Sequence, residues 1–444
     1  MNLSSSTASL PAALRIPLSS PAAFESIARL LSDRERNRSR IAQHLAYAQL
    51  QRRQQRLKEA EEEDTSSDEE GDGVEGSMFS TSAGLEESNQ DKNRYRDIIC
   101  YNPTRILLPL RVGADRSAGS ASVAADTSAD RGYVNASLVQ EPDLGLLPPK
   151  GGTAHRRRWW VAAQAPIQNT LHAFISMLLT PPISLESTRN AVPPLPRMKT
   201  IVQLTPLVEQ RRQKCHPYFP NTIGETWFLQ PDEAENEGEG PEDVSVRLEG
   251  KIDRADGSRE SALRVGRRGQ KEEEGHLVTH LEYRGWSDHG TLDVRAVSAR
   301  STEFALAIVQ SGVPEDLGHL INFIRSTFDI NDASTSAREE VPPILVHCSA
   351  GVGRTGTYIT LASLLPFLEN SFLAFPINST TSSSRSHPLG STYPIPPPVK
   401  DLDRDYVGET IDHLRDQRCT MVQTVAQVKF CYEALAREWK RLHL

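Results

Sequence analysis

"ILVHCSAGVGRTGTYI", residues 344–359, is the stretch whose reading decides the fold, and it can be taken in two incompatible ways. Gly351, Gly353 and Gly356 spell G-x-G-x-x-G, the glycine pattern of a dinucleotide-binding turn. The same residues set Cys348 six positions before Arg354 around a glycine-rich loop, which is the pattern of a phosphate cradle with a nucleophile at its base. A dinucleotide site needs its turn inside a β-α-β unit, with an acidic residue about 20 positions on at the end of a second strand. Here the strand "PPILVHC" and the helix "GRTGTYITLASLLPFL" flank the loop, but Glu369 and "TTSSSRSHPLG" follow, with no second strand. The dinucleotide reading fails on that context.

The cradle reading gains from it. A strand ending at Cys348, a tight loop and then a helix aim several backbone N–H groups at one point, and the helix dipole adds to them. Glycines let the backbone approach an anion closely. A cysteine at the base of such a cradle lies in positive potential, which favours the nucleophilic thiolate. Arg354 offers a planar, two-pronged contact to phosphate oxygens, and Thr355 brings a hydroxyl close to the sulfur. An isolated cysteine at a strand end is more often an ordinary buried thiol. This contiguous constellation argues for chemistry instead.

Composition bounds the rest. The chain has 444 residues, 38% hydrophobic and 24% charged, with 29 prolines and 27 glycines, so part of it is expected outside any core. A net charge of −8 argues against a nucleic-acid partner. The five cysteines, Cys100, Cys215, Cys348, Cys419 and Cys431, are widely spaced with no C-x-x-C pair, which disfavours structural zinc and a disulfide framework. Reduced thiols fit a cytoplasmic or nuclear protein. No apolar run approaches the roughly 18 residues of a membrane span, and no metal or other cofactor is implied.

Along the chain, residues 1–23 read as a disordered tail and 24–60 as a basic helical segment, with Phe24, Ile27 and Leu31 on one face and Arg34, Arg36, Arg38 and Arg40 expected as a solvated one. Residues 61–90, beginning "EEEDTSSDEEGDGVEG", read as an acidic unfolded linker. Residues 91–444 read as one catalytic domain. Candidate strands are "IICYNPTRILLPL", "RGYVNASLV", "RRRWWVAAQAP", "KTIVQLTPL" and "HLVTHLEYRGW". Candidate helices start near Asn169 and at Pro314, and two more close the chain. Low-complexity surface inserts are expected near 113–130, 232–274 and 371–400.

"HCSAGVGRTG" resembles the signature loop of the cysteine-dependent protein tyrosine phosphatases. "KNRYRDI" (92–98), "YVNAS" (133–137), "AAQAPIQNT" (162–170), "TIVQLTPLVEQRRQKCHPYFP" (200–220), "WSDHG" (286–290) and "LRDQRCTMVQTVAQVKFCYEAL" (414–435) are similar to that family's motifs and follow in its order. This ordered set resembles the tyrosine-specific, non-receptor branch, fungal-like in its long inserts. The resemblance implies an α/β fold: one domain with a central mixed twisted sheet flanked by helices and a strand–phosphate loop–helix active site.

It also implies roles. Cys348 would be the nucleophile of a phosphocysteine intermediate. The N–H groups of Ser349, Ala350, Gly351, Val352, Gly353 and Arg354 would hold the phosphoryl oxygens, with Arg354 binding substrate and transition state. Asp288 would be general acid and then base. Gln423 and Gln427 would position water, Tyr95 would flank the substrate ring, and Asp97 would hold the peptide backbone. Glu209 would orient Arg354, Lys214 would sit near the acid loop, and Trp286 and His347 would support these motifs. The implied partners are phosphotyrosine proteins, a signalling kinase among them. Two departures stand out: Ser287 replaces the acid loop's usual proline, which frees φ and alters loop closure, and Ala165 replaces a usual glycine. A dual-specificity or lipid phosphatase, and a phosphotyrosine-binding scaffold, are the alternatives. The uncharged Ala350, Val352 and Gly353 and the "KNRYRD" element argue against the first. The presence of cysteine, arginine and acid together argues against a scaffold without activity, while a scaffold working through the arginine-rich helix and acidic linker with incidental activity would be separated by deleting residues 1–90.

Overall fold

The computed structural model describes residues 10–62, 77–108, 132–144, 157–190, 192–231, 243–286, 317–333, 335, 339–368, 402 and 404–444. The chain opens with helices α1 (Ala12–Ser19) and α2 (Pro21–Glu62), then the single turns α3 (Ser82–Leu85) and α4 (Glu87–Gln90). Strands β1 (Ala136–Gln140) and β2 (Trp159–Ala163) follow, then short helices α5 (Leu171–Ser176) and α6 (Leu185–Arg189) and strand β3 (Thr200–Gln203). A two-stranded hairpin, β4 (Val208–Glu209) and β5 (Arg212–Gln213), precedes β6 (Thr226–Leu229), β7 (Val244–Asp253), β8 (Arg259–Arg267) and β9 (His276–Glu282). Helix α7 (Leu317–Asp332), strand β10 (Ile344–His347) and helices α8 (Gly353–Leu368), α9 (Tyr406–Gln417) and α10 (Val425–His443) complete it.

The main sheet has eight strands in the order β1-β2-β10-β3-β9-β8-β7-β6. Its middle, β2-β10-β3-β9, is parallel, and both ends are antiparallel. The middle strands are short apolar runs buried on both faces, the pattern expected where helices cover a parallel sheet. Within β10 the side chains alternate. Ile344 and Val346 join a core with α7, α8, α9 and α10, whereas Leu345 joins the opposite core with Phe174, Ile201 and Val246. The mixed α/β architecture expected from the sequence is the one observed.

Four local readings need correction. The supposed tail contains α1, whose Ala13 and Leu14 are buried together with Leu10, Ile27 and Leu31. This apolar set is short and spread over two helices, so composition hides it. The arginine face of α2 is not all solvated: Arg38 is fully buried, donating to Asp412 and Asp416 of α9, and Arg34 donates to Asp412. The stretch 243–274 is no low-complexity insert. It folds as β7 and β8, with Val244, Val246, Leu248, Leu263 and Val265 inward and charged residues between them. The period of two is present, but the charge count masks it. Residues 98–108 of "IICYNPTRILLPL" form no strand, only turns and one isolated bridge from Arg105 to Ser137, because the Asn102-Pro103 step breaks any strand. The acidic run at 63–76, the inserts near 113–130 and 371–400, and residues 232–242 lie outside the described residues. Phe79, Ser80 and Ser82, inside the expected linker, are buried. Among the described residues no helix is long and apolar enough to cross a membrane.

Candidate active site

β10 ends at His347 in the middle of the sheet, paired in register with β2 on one side and β3 on the other. Cys348 therefore emerges from a strand paired on both sides, and α8 begins only five residues later at Gly353. The intervening loop is tight. Gly351 has φ +72°, and a Cβ on it would lie 2.1 Å from the Ala163 carbonyl oxygen, so only glycine fits. Its N–H points inward and donates to Cys348 Sγ at 3.2 Å. Ser349 O accepts from Ala165 N at 3.0 Å, and Val352 O accepts from Val422 N at 3.1 Å. Ala165, fully buried, is thus seated beside the loop. Thr355 is buried, and its hydroxyl meets no hydrogen-bond partner among the described residues.

Arg354, 7% exposed, turns back across the loop and donates from Nη1 to Leu204 O at 3.0 Å and from Nη2 to Glu209 Oε2 at 2.8 Å. The β4–β5 hairpin presents that carboxylate. Its turn residues Gln210 and Arg211 both lie in the left-handed region, at φ 49° and 61°. On the other flank, Tyr95 Oη lies 2.8 Å from Ser349 Oγ, which also donates to Lys214 O at 3.2 Å. The Tyr95 ring is half-buried and Asp97 is exposed. Arg94 pins this segment by donating to Ala165 O, Pro166 O and Gln213 O.

Behind the loop His347 is fully buried, with Nε2 2.9 Å from Tyr218 Oη. Burial, with a smaller push from Arg94, pulls its imidazole down to about 4, so the ring is neutral near pH 7. Burial raises the thiols of Cys215 and Cys419 to about 12. Trp286 is buried against Tyr283 and Phe430. Ser287 and Asp288 lie outside the described residues.

The two glutamines occupy different settings. Gln423 is exposed on the loop before α10. Gln427 is buried at the first turn of α10, where it forms a capping box with Thr424: Thr424 Oγ1 accepts from Gln427 N, and Gln427 Oε1 accepts from Thr424 N. Its amide lies about 3 Å from where a Cβ on Gly353 would sit. The loop ahead of them is strained, with Thr420 and Val422 both at φ 54°, a conformation that β-branched residues strongly resist.

Sequence reasoning passed over Arg418. This fully buried guanidinium donates to Gly351 O at 2.8 Å and Ala350 O at 3.1 Å, and also reaches Asn135 Oδ1 and Cys100 Sγ. It holds the Ala350 and Gly351 carbonyls, while the Gly351 N–H donates to Cys348 Sγ. Its signal was an arginine inside "RDQRCTMVQ", but its targets lie 67 residues or more away.

A family model described as protein-tyrosine phosphatase matches residues 89–391. The chain is 25% identical over 354 residues to Tyrosine-protein phosphatase 1 of Caenorhabditis elegans, covering 79% of this chain and 23% of that one. It is 24% identical over 353 residues to Tyrosine-protein phosphatase non-receptor type 4 of Mus musculus, covering 79% and 25%. Against Tyrosine-protein phosphatase 1 of Schizosaccharomyces pombe the identity is 26% over 360 residues, covering 81% and 46%. The chain thus spans between 23% and 46% of the length of these relatives.

Proposed function

This chain belongs to the protein-tyrosine phosphatase family, and from that premise we propose that it hydrolyses phosphotyrosine in proteins through a phosphocysteine intermediate. The supporting observation is the cradle: a cysteine at the end of a central strand, the Gly351 N–H donating to its sulfur, the Gly351 carbonyl held by Arg418, and Arg354 held by a carboxylate. In the first step the Cys348 thiolate attacks phosphorus and the bond to the tyrosine oxygen breaks. Asp288 gives that oxygen its proton. The N–H groups of Ser349 to Arg354 and the Arg354 guanidinium hold the phosphoryl oxygens as charge redistributes. In the second step water, placed by Gln423, attacks phosphorus, the S–P bond breaks, Asp288 takes up the proton, and inorganic phosphate leaves. Gln427 holds the helix end that carries this loop. Tyr95, braced by Ser349, forms one wall of a pocket deep enough for a phosphorylated ring and too deep for phosphoserine.

The substrates under this reading are intracellular phosphotyrosine proteins of signalling pathways, an activated kinase among them, in the cytoplasm or nucleus. The test uses two peptides differing only in phosphotyrosine or phosphoserine. Phosphate release from the tyrosine peptide alone, abolished by Cys348→Ser, with a phosphoryl adduct on wild-type Cys348 found by mass spectrometry after rapid denaturing quench at neutral pH, is the expected result. Release from both peptides returns the dual-specificity reading. Binding of the tyrosine peptide without release returns the scaffold reading.

A further inference from the structure

We propose that Glu35, on the amino-terminal helix α2, is a positioning residue for the second chemical step, holding the loop that carries Gln423. The loop from Arg418 to Gln423 adopts a shape its residues resist, with Thr420 and Val422 at positive φ, so something outside it must hold it there. Three side chains do so. Arg418 ties its start to the phosphate loop. Arg415, at the end of α9, donates to Met421 O and Val422 O at 2.8 Å each, and to Leu31 O of α2 at 3.0 Å. Glu35 accepts the Thr420 N–H at 2.9 Å, with its other carboxylate oxygen 4.0 Å from Arg415 Nε.

Glu35 is therefore bonded directly to one of the two strained residues, three positions before Gln423. Its own place is fixed by the neighbouring arginines of α2. Arg38 donates to Asp412 and Asp416, and Arg34 to Asp412, so the helix cannot slide on α9 without breaking buried charge pairs. Beyond Glu35 the helix and the loop part around a cleft of about 380 Å³, lined by Ser32, Arg36, Arg40 and Gln423 among others. On that side the loop is open, and Glu35 spans the gap. Removing its carboxylate frees the Thr420 amide and lets the backbone relax toward negative φ, which carries the exposed Gln423 out of place. Arg415 still holds Met421 O and Val422 O, and Val422 N still donates to Val352 O, so the relaxation is confined to the Thr420 side of the loop and capture of phosphate by Cys348 is left intact.

This inference rests on the phosphatase reading and on Gln423 acting in the hydrolytic step. The two steps separate kinetically. kcat/KM reports events up to the first irreversible step, cleavage of the phosphate ester, whereas slowed hydrolysis of phosphocysteine lowers kcat alone. With full-length protein and 4-nitrophenyl phosphate, Glu35→Ala is expected to lower kcat about 5- to 20-fold, keep kcat/KM within about twofold, and produce a nitrophenolate burst approaching one equivalent of enzyme. These are order-of-magnitude losses for a displaced catalytic group. Glu35→Gln keeps an acceptor for the Thr420 N–H and should restore kcat. A parallel fall of kcat and kcat/KM, an unchanged kcat, or a Gln variant as slow as the Ala variant would overturn the proposal. Gln423→Ala is the reference: a burst there without one in Glu35→Ala sinks this inference alone, whereas wild-type protein that forms no phosphocysteine sinks the phosphatase reading itself.

Discussion

Replacing Glu209 by alanine tests how the arginine at the rim of the cradle is held. Arg354 Nη2 donates to Glu209 Oε2 at 2.8 Å, with the two side chains 8% and 9% exposed. An ion pair in open water is worth little, but this one is shielded from it. A hydrogen bond to a charged group contributes about 1.5–3 kcal/mol. If that energy serves to aim the guanidinium at phosphate, its loss lowers kcat/KM by roughly 10- to 150-fold, since about 1.4 kcal/mol is tenfold. Arg354 retains its bond to Leu204 O, so the loss should stop short of complete inactivation. Glu209→Gln keeps an oxygen acceptor and should fall between. The assay is kcat/KM on a phosphotyrosine peptide, with thermal unfolding monitored alongside. Because Arg354→Lys already abolishes the two-pronged geometry, adding Glu209→Ala to it should cost little more. A Glu209→Ala enzyme within threefold of wild type, or an effect that adds in full to Arg354→Lys, would refute the reasoning.

Three further outcomes are expected. Asp288→Ala should lower kcat by roughly 10²–10⁴-fold on phosphotyrosine and remove the basic limb of the pH profile, with a much smaller loss on an aryl phosphate whose phenol is already a good leaving group; equal losses on both would dismiss Asp288 as the acid. Arg38→Ala should destabilise the protein by about 3–5 kcal/mol in urea unfolding, because it strands buried carboxylates, whereas Arg36→Ala, an exposed pair with Asp33, should change it by less than about 0.5 kcal/mol; similar values for the two would mean that α2 is not clamped as described. His347, held down to about 4 by burial, stays neutral in the folded state while the unfolded imidazole gains its proton near pH 6.5, so stability present above pH 6.5 should drop as pH falls toward 4, by up to about 3 kcal/mol; a urea midpoint that stays flat over that window would contradict the assignment.

What the sequence makes legible is what is local. The cradle lies within a few contiguous residues, so the cysteine, the glycines and Arg354 declare themselves in one glance at 348–356. The parallel middle of the sheet is similarly readable, because short runs such as "ILVH" and "TIVQ" are apolar on both faces. Arg38 is different. Its partner carboxylates lie 374 and 378 residues away, and nothing near it distinguishes it from the solvated Arg36. The β7–β8 hairpin escapes for another reason: only alternate residues are apolar, and the charges between them dominate a composition count. The T-x-x-Q spacing of Thr424 and Gln427 does spell a capping box, which stands beside the water-positioning role expected for Gln427. The left-handed turns at Thr420 and Val422 leave no mark on the sequence at all, since neither residue is a glycine.

The clamp between α2 and α9 has a consequence for how the molecule is made. A ribosome releases Arg34 and Arg38 long before Asp412 and Asp416 exist. At about 5–20 residues per second the interval is roughly 20–75 s. Throughout it the arginines of α2 have none of their native α9 carboxylates, and Leu10, Leu14, Ile27 and Leu31 have no α10 to rest on. The segment that carries Asp412 and Asp416 also brings Arg415, Arg418 and Gln423. The brace and the loop it holds are therefore completed in the same late event. The loop that carries Gln423 is held from both sides only once α2 has met α9, so a chain stopped before Asp412 should retain the cysteine loop and lack its brace.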